Sequence, residues 1–183
     1  MTEPVLDPVL AAIRRRRVTR AMTDEPVARE QVETILDAAR WAPTAGNRHL
    51  QRFVATTHPG TLRALRMVSP GMIPRPGAAL AICVDRGLVA EYGFPADAPG
   101  PWIDVGTATA TILLAAQAVG LGAGPVSSFS RAAVGVVLDL PDSWRAELII
   151  CLGHPAPAQL APMRPGRKLS WRDLTRWVPA EEA

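Results

Sequence analysis

Arginine crowds one short stretch of this chain, Arg14-Arg15-Arg16-Arg17-Val18-Thr19-Arg20. Such a run can serve as a solvated face, a nucleic-acid patch or a cradle for a small anion. No aromatic residues interleave with it, as stacking on bases requires, and no second basic cluster lies nearby. The run abuts a predicted helix end and an extended segment, where alternate side chains share a direction. Arg16, Val18 and Arg20 then point one way, and two of them can meet one anion.

A second stretch with chemical content is Trp41-Ala42-Pro43-Thr44-Ala45-Gly46-Asn47. It reads at least as a helix end followed by a turn. Thr44 and Asn47 are short, polar and close to Gly46, so they can also offer hydrogen bonds to a flat ligand. The third is Gly120-Leu121-Gly122-Ala123-Gly124-Pro125. A dinucleotide-binding loop needs a strand before its glycines and a helix after. Here the order is helix, glycines, strand, so a helix C-cap and tight turn are expected. His49, His58 and His154 lie far apart, with no cysteine or carboxylate at ligand spacing, and no metal is expected. A Gly-x-Ser-x-Gly nucleophile is also missing. An enzyme without catalytic side chains usually draws its chemistry from a cofactor.

These residues must be positioned by a chain of 183 residues, 48% hydrophobic and 20% charged, which fits one globular domain over 1–183. A net charge of +3 is weak support for a nucleic-acid partner, and none is expected. Residues 105–130 carry no charge, but Gly120 cuts the run to about 15 residues, short of the roughly 20 that span a bilayer. A buried helix and no membrane contact are expected. The opening Met-Thr-Glu-Pro places acids before the apolar stretch and arginines after it, the reverse of a secretory signal, so a cytoplasmic protein is expected. Cys83 and Cys151 sit in apolar runs and read as buried free thiols.

Apolar spacing predicts helices from Val5 through Ile13 and over 28–41, where Ala42-Pro43 stops the second. Further helices are expected over 59–67, 102–119 and 132–138, and strands over 53–57, 78–84, from Val126 and over 147–152. Residues 86–101 read as a long loop or broken helix, and a proline- and arginine-rich arm begins near 156. Without a clean βαβ rhythm, an α+β fold is favoured over a doubly wound sheet.

Taken in order, five segments resemble the nitroreductase-like FMN oxidoreductase family. They are Arg16-Arg17-Val18-Thr19-Arg20; Ala42-Pro43-Thr44-Ala45-Gly46-Asn47-Arg48-His49 with Phe53; Asp104 to Gly122; Pro125-Val126-Ser127-Ser128-Phe129; and Gly153-His154-Pro155 followed by Arg167-Lys168-Leu169. The resemblance implies a three-layer α/β/α fold with a mixed, mostly antiparallel central sheet, in an intertwined homodimer with FMN at the subunit interface. It implies that Arg16 and Arg167, with Lys168, bind the FMN phosphate, that Arg17 and Val18 also belong to the cofactor site, and that Arg20 lies at the pyrimidine edge. Pro125, Val126, Ser127 and Ser128 would line the flavin, with a serine N–H donating to N5. Pro43, Thr44 and Asn47 would meet the flavin of the other subunit. NAD(P)H is the implied reductant, with no residue choosing NADH over NADPH. Val18 stands where the family usually has serine, and His49-Leu50-Gln51 where Gln-Pro-Trp is common. Ser69-Pro70-Gly71 and the 125–129 segment resemble the cyclodipeptide oxidase branch. Three activities stay open: reduction of a nitroarene or quinone, a biosynthetic desaturation, or flavin binding without turnover.

Overall fold

In a computed structural model, which describes residues 7–158 and 169–178, the run Ala-Ala-Leu-Ala-Ile-Cys-Val-Asp forms strand β2, Ala78–Asp85, buried at every position. A strand apolar on both faces must be covered on both. It lies inside a four-stranded sheet of order β1-β2-β4-β3, with β1 Gln51–Thr56, β3 Gly122–Val126 and β4 Trp144–Gly153. All three pairings are antiparallel. Among the described residues the one parallel contact is an isolated bridge between Val18 and Ala123.

Alternation along β2 sorts the core. Ala78, Leu80, Ile82 and Val84 meet Ile35 of α2, Arg29–Ala39, and Ala108, Ile112 and Ala116 of α5, Gly100–Ala118. Ala79, Ala81 and Cys83 meet Leu62 and Leu65 of α3, Pro59–Met67, and Val134 of α6, Arg131–Val137. The result is the expected α/β/α layering. Each fully buried Leu or Ile stabilises it by about 1.5–3 kcal/mol.

Helix α1, Pro8–Arg15, starts where Asp7 Oδ1 accepts the Val9 N–H at 2.8 Å, and it buries none of its residues. Helix α4, Arg86–Glu91, fills the first part of the expected loop and is capped by Asp85, whose Oδ1 accepts from Gly87 and Leu88. In α5 the side facing away from the sheet exposes Ile103, Gly106 and Ala110. Among the described residues no helix is long and apolar enough to cross a membrane.

One expectation fails. The glycine stretch is not a turn leading to a strand at Val126; β3 begins at Gly122 and ends at Val126. Gly120 alone serves as the helix stop, at φ +78. The other glycines stand in the strand because another part of the chain lies directly against them.

Candidate cofactor site

That part is the segment after the arginine run. Thr19 N–H donates to Ala123 O at 2.9 Å, which ties the segment to the edge of β3. A Cβ on Gly122 would collide with the Thr19 side chain, and one on Gly124 would lie 2.6 Å from the Thr19 carbonyl oxygen. Further on, Ala21 O accepts from Ala156 N at 3.0 Å, Thr23 N donates to His154 O at 2.9 Å, and Met22 bridges Pro155. A Cβ on Gly153 would sit 2.8 Å from Met22 Sδ. Three glycines far along the chain are thus small so that residues 18–23 can cross the end of the sheet. Pro125, which lacks an N–H, occupies a β3 position where that loss is tolerated, because residues 123 and 125 direct their backbones away from β4.

The crossing builds a cavity of about 280 Å³, lined by Arg15, Arg16, Arg17, Val18 and Thr19, with Leu113, Gln117 and Pro155 also in its wall. Arg16 is half-buried, and its Nη1 is buried without a hydrogen-bond partner. A buried guanidinium nitrogen lacking an acceptor is costly, so an anion accepted there recovers that cost. Arg17 differs from the expectation in part. Its Nη1 donates to the carbonyls of Arg14 and Arg16 at 2.6 and 2.8 Å, capping the end of α1. Val18, which stands where the family usually has serine, lines the cavity and uses its backbone in the bridge to Ala123. Arg20 is half-buried two residues beyond that bridge. Ser127 and Ser128 are exposed just past β3, where Ser128 O accepts from Gly71 N at 3.0 Å. Arg167 and Lys168 lie outside the described residues.

Pro43, Thr44 and Asn47 do not join this cluster within one chain. They sit near the other end of α5, clamped by two of its side chains. Asp104 Oδ1 accepts from Ala45 N at 2.9 Å, and Thr107 Oγ1 donates to Pro43 O at 2.8 Å. From Thr107 to Gln117, which lines the basic cavity, the helix rises about 15 Å. Thr44 Oγ1 accepts from His49 N at 3.3 Å, and Asn47 Oδ1 pairs with His49 Nε2 at 3.0 Å. Gly46, Asn47 and His49 all take positive φ, at 62, 54 and 49°. Two non-glycine residues in that region cost on the order of 1 kcal/mol each, and such strain gathers at binding loops.

Asp104 and Thr107 were missed in the sequence reading. Asp104 is the single charge in a helix otherwise without one, and it is 1% exposed. A lone acid on an apolar helix was the available signal. Its Oδ2 is buried and unpartnered. Elsewhere, the Glu147 side chain on β4 is buried between Arg131 Nε at 3.1 Å and Arg145 Nε at 2.9 Å, a charge paired with two arginines. Burial pushes the Cys83 thiol up to about 12, helped by the nearby Glu147 carboxylate. Burial also raises Cys151 to about 12, against the pull of Arg66. Both are free thiols and both are chemically quiet. Among the described residues no group of His, Cys, Asp or Glu gathers to hold a metal.

The chain is thus a three-layer α/β/α protein of the α+β class with an arginine-lined cavity at its sheet edge. A sequence profile of the nitroreductase family matches residues 13–81 and 76–154, and the chain belongs to that family. Its members are oxidoreductases. A Rhodopseudomonas palustris protein named as a candidate NADH dehydrogenase/NAD(P)H nitroreductase is 28% identical, over 96% of this chain and 97% of its own. A Methanothermobacter thermautotrophicus protein of the same name is 31% identical, over 81% of this chain and 78% of its own. Among solved structures, a nitroreductase family protein of Clostridium difficile 630 shares the fold with a TM-score of 0.76 at 24% identity, covering 91% of this chain and 95% of that one. An FMN-dependent nitroreductase of Clostridium difficile R20291 superposes with a TM-score of 0.70 at 20% identity, covering 84% and 91%.

Proposed function

We propose that the chain is an FMN-dependent oxidoreductase acting as a homodimer, which passes electrons from NAD(P)H to an electron-poor acceptor such as a nitroarene or quinone. The observation that carries this reading is the buried, unpartnered Nη1 of Arg16 in the wall of the basic cavity. A phosphate dianion suits it, since a guanidinium fork binds such an oxyanion with charge-assisted hydrogen bonds. Bound FMN would supply the two-electron chemistry that the side chains of this chain do not offer.

Arg16, with Arg17 beside it, would hold the phosphate, joined by Arg167 and Lys168. Arg20 would place a fixed positive charge at the pyrimidine edge, which stabilises negative charge developing there. Pro125, Val126, Ser127 and Ser128 would border the ring, with a serine N–H as donor to N5. Thr44 and Asn47 would come from the partner subunit, which accounts for their lying about half the length of α5 along its axis from the cradle of their own chain. The exposed apolar side of α5 at Ile103, Gly106 and Ala110 would be covered by that partner.

The purified protein should be yellow, and acid should release FMN rather than FAD. NADPH added without oxygen should bleach the flavin bands. A colourless protein that takes up no added FMN overturns the reading; a yellow one that NADPH leaves unbleached restricts it to flavin binding or to electron flow in the opposite sense.

A further inference from the structure

Six arginines among the described residues lie over aromatic rings: Arg40, Arg48, Arg52, Arg131, Arg145 and Arg172. Four of them, Arg40, Arg52, Arg131 and Arg145, also pair with a carboxylate. Arg48 is different. Its guanidinium carbon lies 4.7 Å from the Tyr92 ring centroid and 4.9 Å from that of Phe94, the only double stacking in this set. Among the described residues it has neither a carboxylate partner nor a hydrogen bond. Stacking fixes a guanidinium by its faces and leaves the N–H donors at its rim unused. A carboxylate partner would orient the group equally well but would neutralise it.

The local backbone serves the same end. Gly46 leaves room for this side chain, since a Cβ there would lie 3.2 Å from Arg48 Nε. Asn47 and His49, on either side, are both at positive φ. Tyr92 and Phe94 belong to the connection between α4 and α5, so Arg48 links that connection to the Pro43–Asn47 loop. An oriented, uncompensated cation therefore stands beside the loop assigned above to the cofactor.

We propose that Arg48 recognises anions in the substrate site, favouring substrates that carry a carboxylate or phosphate group. The inference rests on the reading of residues 43–47 as facing the partner's cofactor. Two sources can provide that anion: a carboxylated acceptor, or a phosphate of the nicotinamide nucleotide. Steady-state kinetics of the FMN-loaded protein separate them. One arm compares kcat/KM for 4-nitrobenzoate with that for nitrobenzene; the other compares NADPH with NADH. Arg48→Gln should lower one of the two anion-preference ratios roughly tenfold or more, the loss expected of one charged hydrogen bond. Arg48→Glu should lower the same ratio further. Arg48 is exposed, so both variants should fold and keep FMN, which their visible spectra report. Ratios unchanged in both arms, with FMN retained, overturn the role of Arg48 and leave the flavoprotein reading intact. A wild-type protein that never binds FMN overturns both.

Discussion

At the scale of single residues, Arg16 and Arg20 lie four positions apart and should fail differently. Arg16 has the buried orphan nitrogen, so Arg16→Ala should weaken FMN binding by about 1.5–3 kcal/mol, the worth of a hydrogen bond to a charged group. The midpoint potential of the flavin that remains bound should barely move. Arg20→Ala should instead lower that potential, and Arg20→Lys should keep much of it, because charge matters there more than fork geometry. Spectroelectrochemistry beside an FMN titration reads both; if neither variant alters affinity or potential, the two arginines are only surface charge. The cysteines allow a pH prediction. An ordinary thiol titrates near 9.0, and burial holds Cys83 and Cys151 near 12. Below 9.0 folded and unfolded thiols are both protonated and contribute no pH dependence. Above it the unfolded chain ionises first, so stability falls as pH rises toward about 12, by about 1.4 kcal/mol per thiol per unit. Urea midpoints between about pH 8 and 10.5 should fall more steeply for the wild type than for the Cys83→Ala/Cys151→Ala double variant. Parallel curves would mean that the thiols are not held neutral by the fold.

Elements explain why some of this was legible and some was not. Helix 59–67 was readable to the residue, because a proline at its first position and an apolar period agree. The apolar run of β2 was equally plain. Strand β3 was not, since Gly122 and Gly124 weigh against a strand in any local reading. Their reason is the approach of Thr19, roughly a hundred residues away in the chain, and no short-range pattern carries it. The cradle was half legible: arginines at the right spacing were visible, but Arg17's capping of α1 was not. Asp104 escaped because a neighbouring apolar run hid a single acid. A direct check on the crossing is Gly124→Ala. Its Cβ would lie 2.6 Å from the Thr19 carbonyl oxygen, so backbone must move, and a cost of about 1–3 kcal/mol with weakened FMN binding is expected. Gly135→Ala in α6, where a Cβ meets nothing within 4 Å, should be neutral or slightly stabilising by about 0.5–1 kcal/mol. Similar denaturation midpoints for the two variants would contradict the close contact.

At the scale of the whole molecule, α5 leaves one side uncovered within the subunit. Its buried side holds Ala108, Ile112 and Ala116 against the sheet, while Ile103 is 61% exposed on the other. Gly106 faces open space within one chain. The isolated subunit should therefore tolerate Gly106→Arg at a modest helix-propensity benefit. A dimer packed on this side should not, because it would bury an unpaired charge. Light scattering after gel filtration should show a folded monomer, and its FMN should be lost with the second subunit. A flavin-loaded dimer of this variant would place the interface elsewhere.

The crossing over β3 also orders events in time. Residues 19 and 21 are tied to residues 123 and 156, so the basic cavity joins the first and last thirds of the chain. Such long loops close late, because their entropy is lost before the distant contacts repay it. A ribosome that has made only the arginine run has made none of the walls around it. On the proposed function, FMN would therefore have no complete site to template early folding; the polypeptide must be nearly complete before the cavity exists. Riboflavin shortage should then leave a folded but colourless pool that later supplementation restores without new synthesis. A chain released after Ser130 should retain no FMN, and retention by that fragment would show that the cradle forms without the strand and return segment that follow.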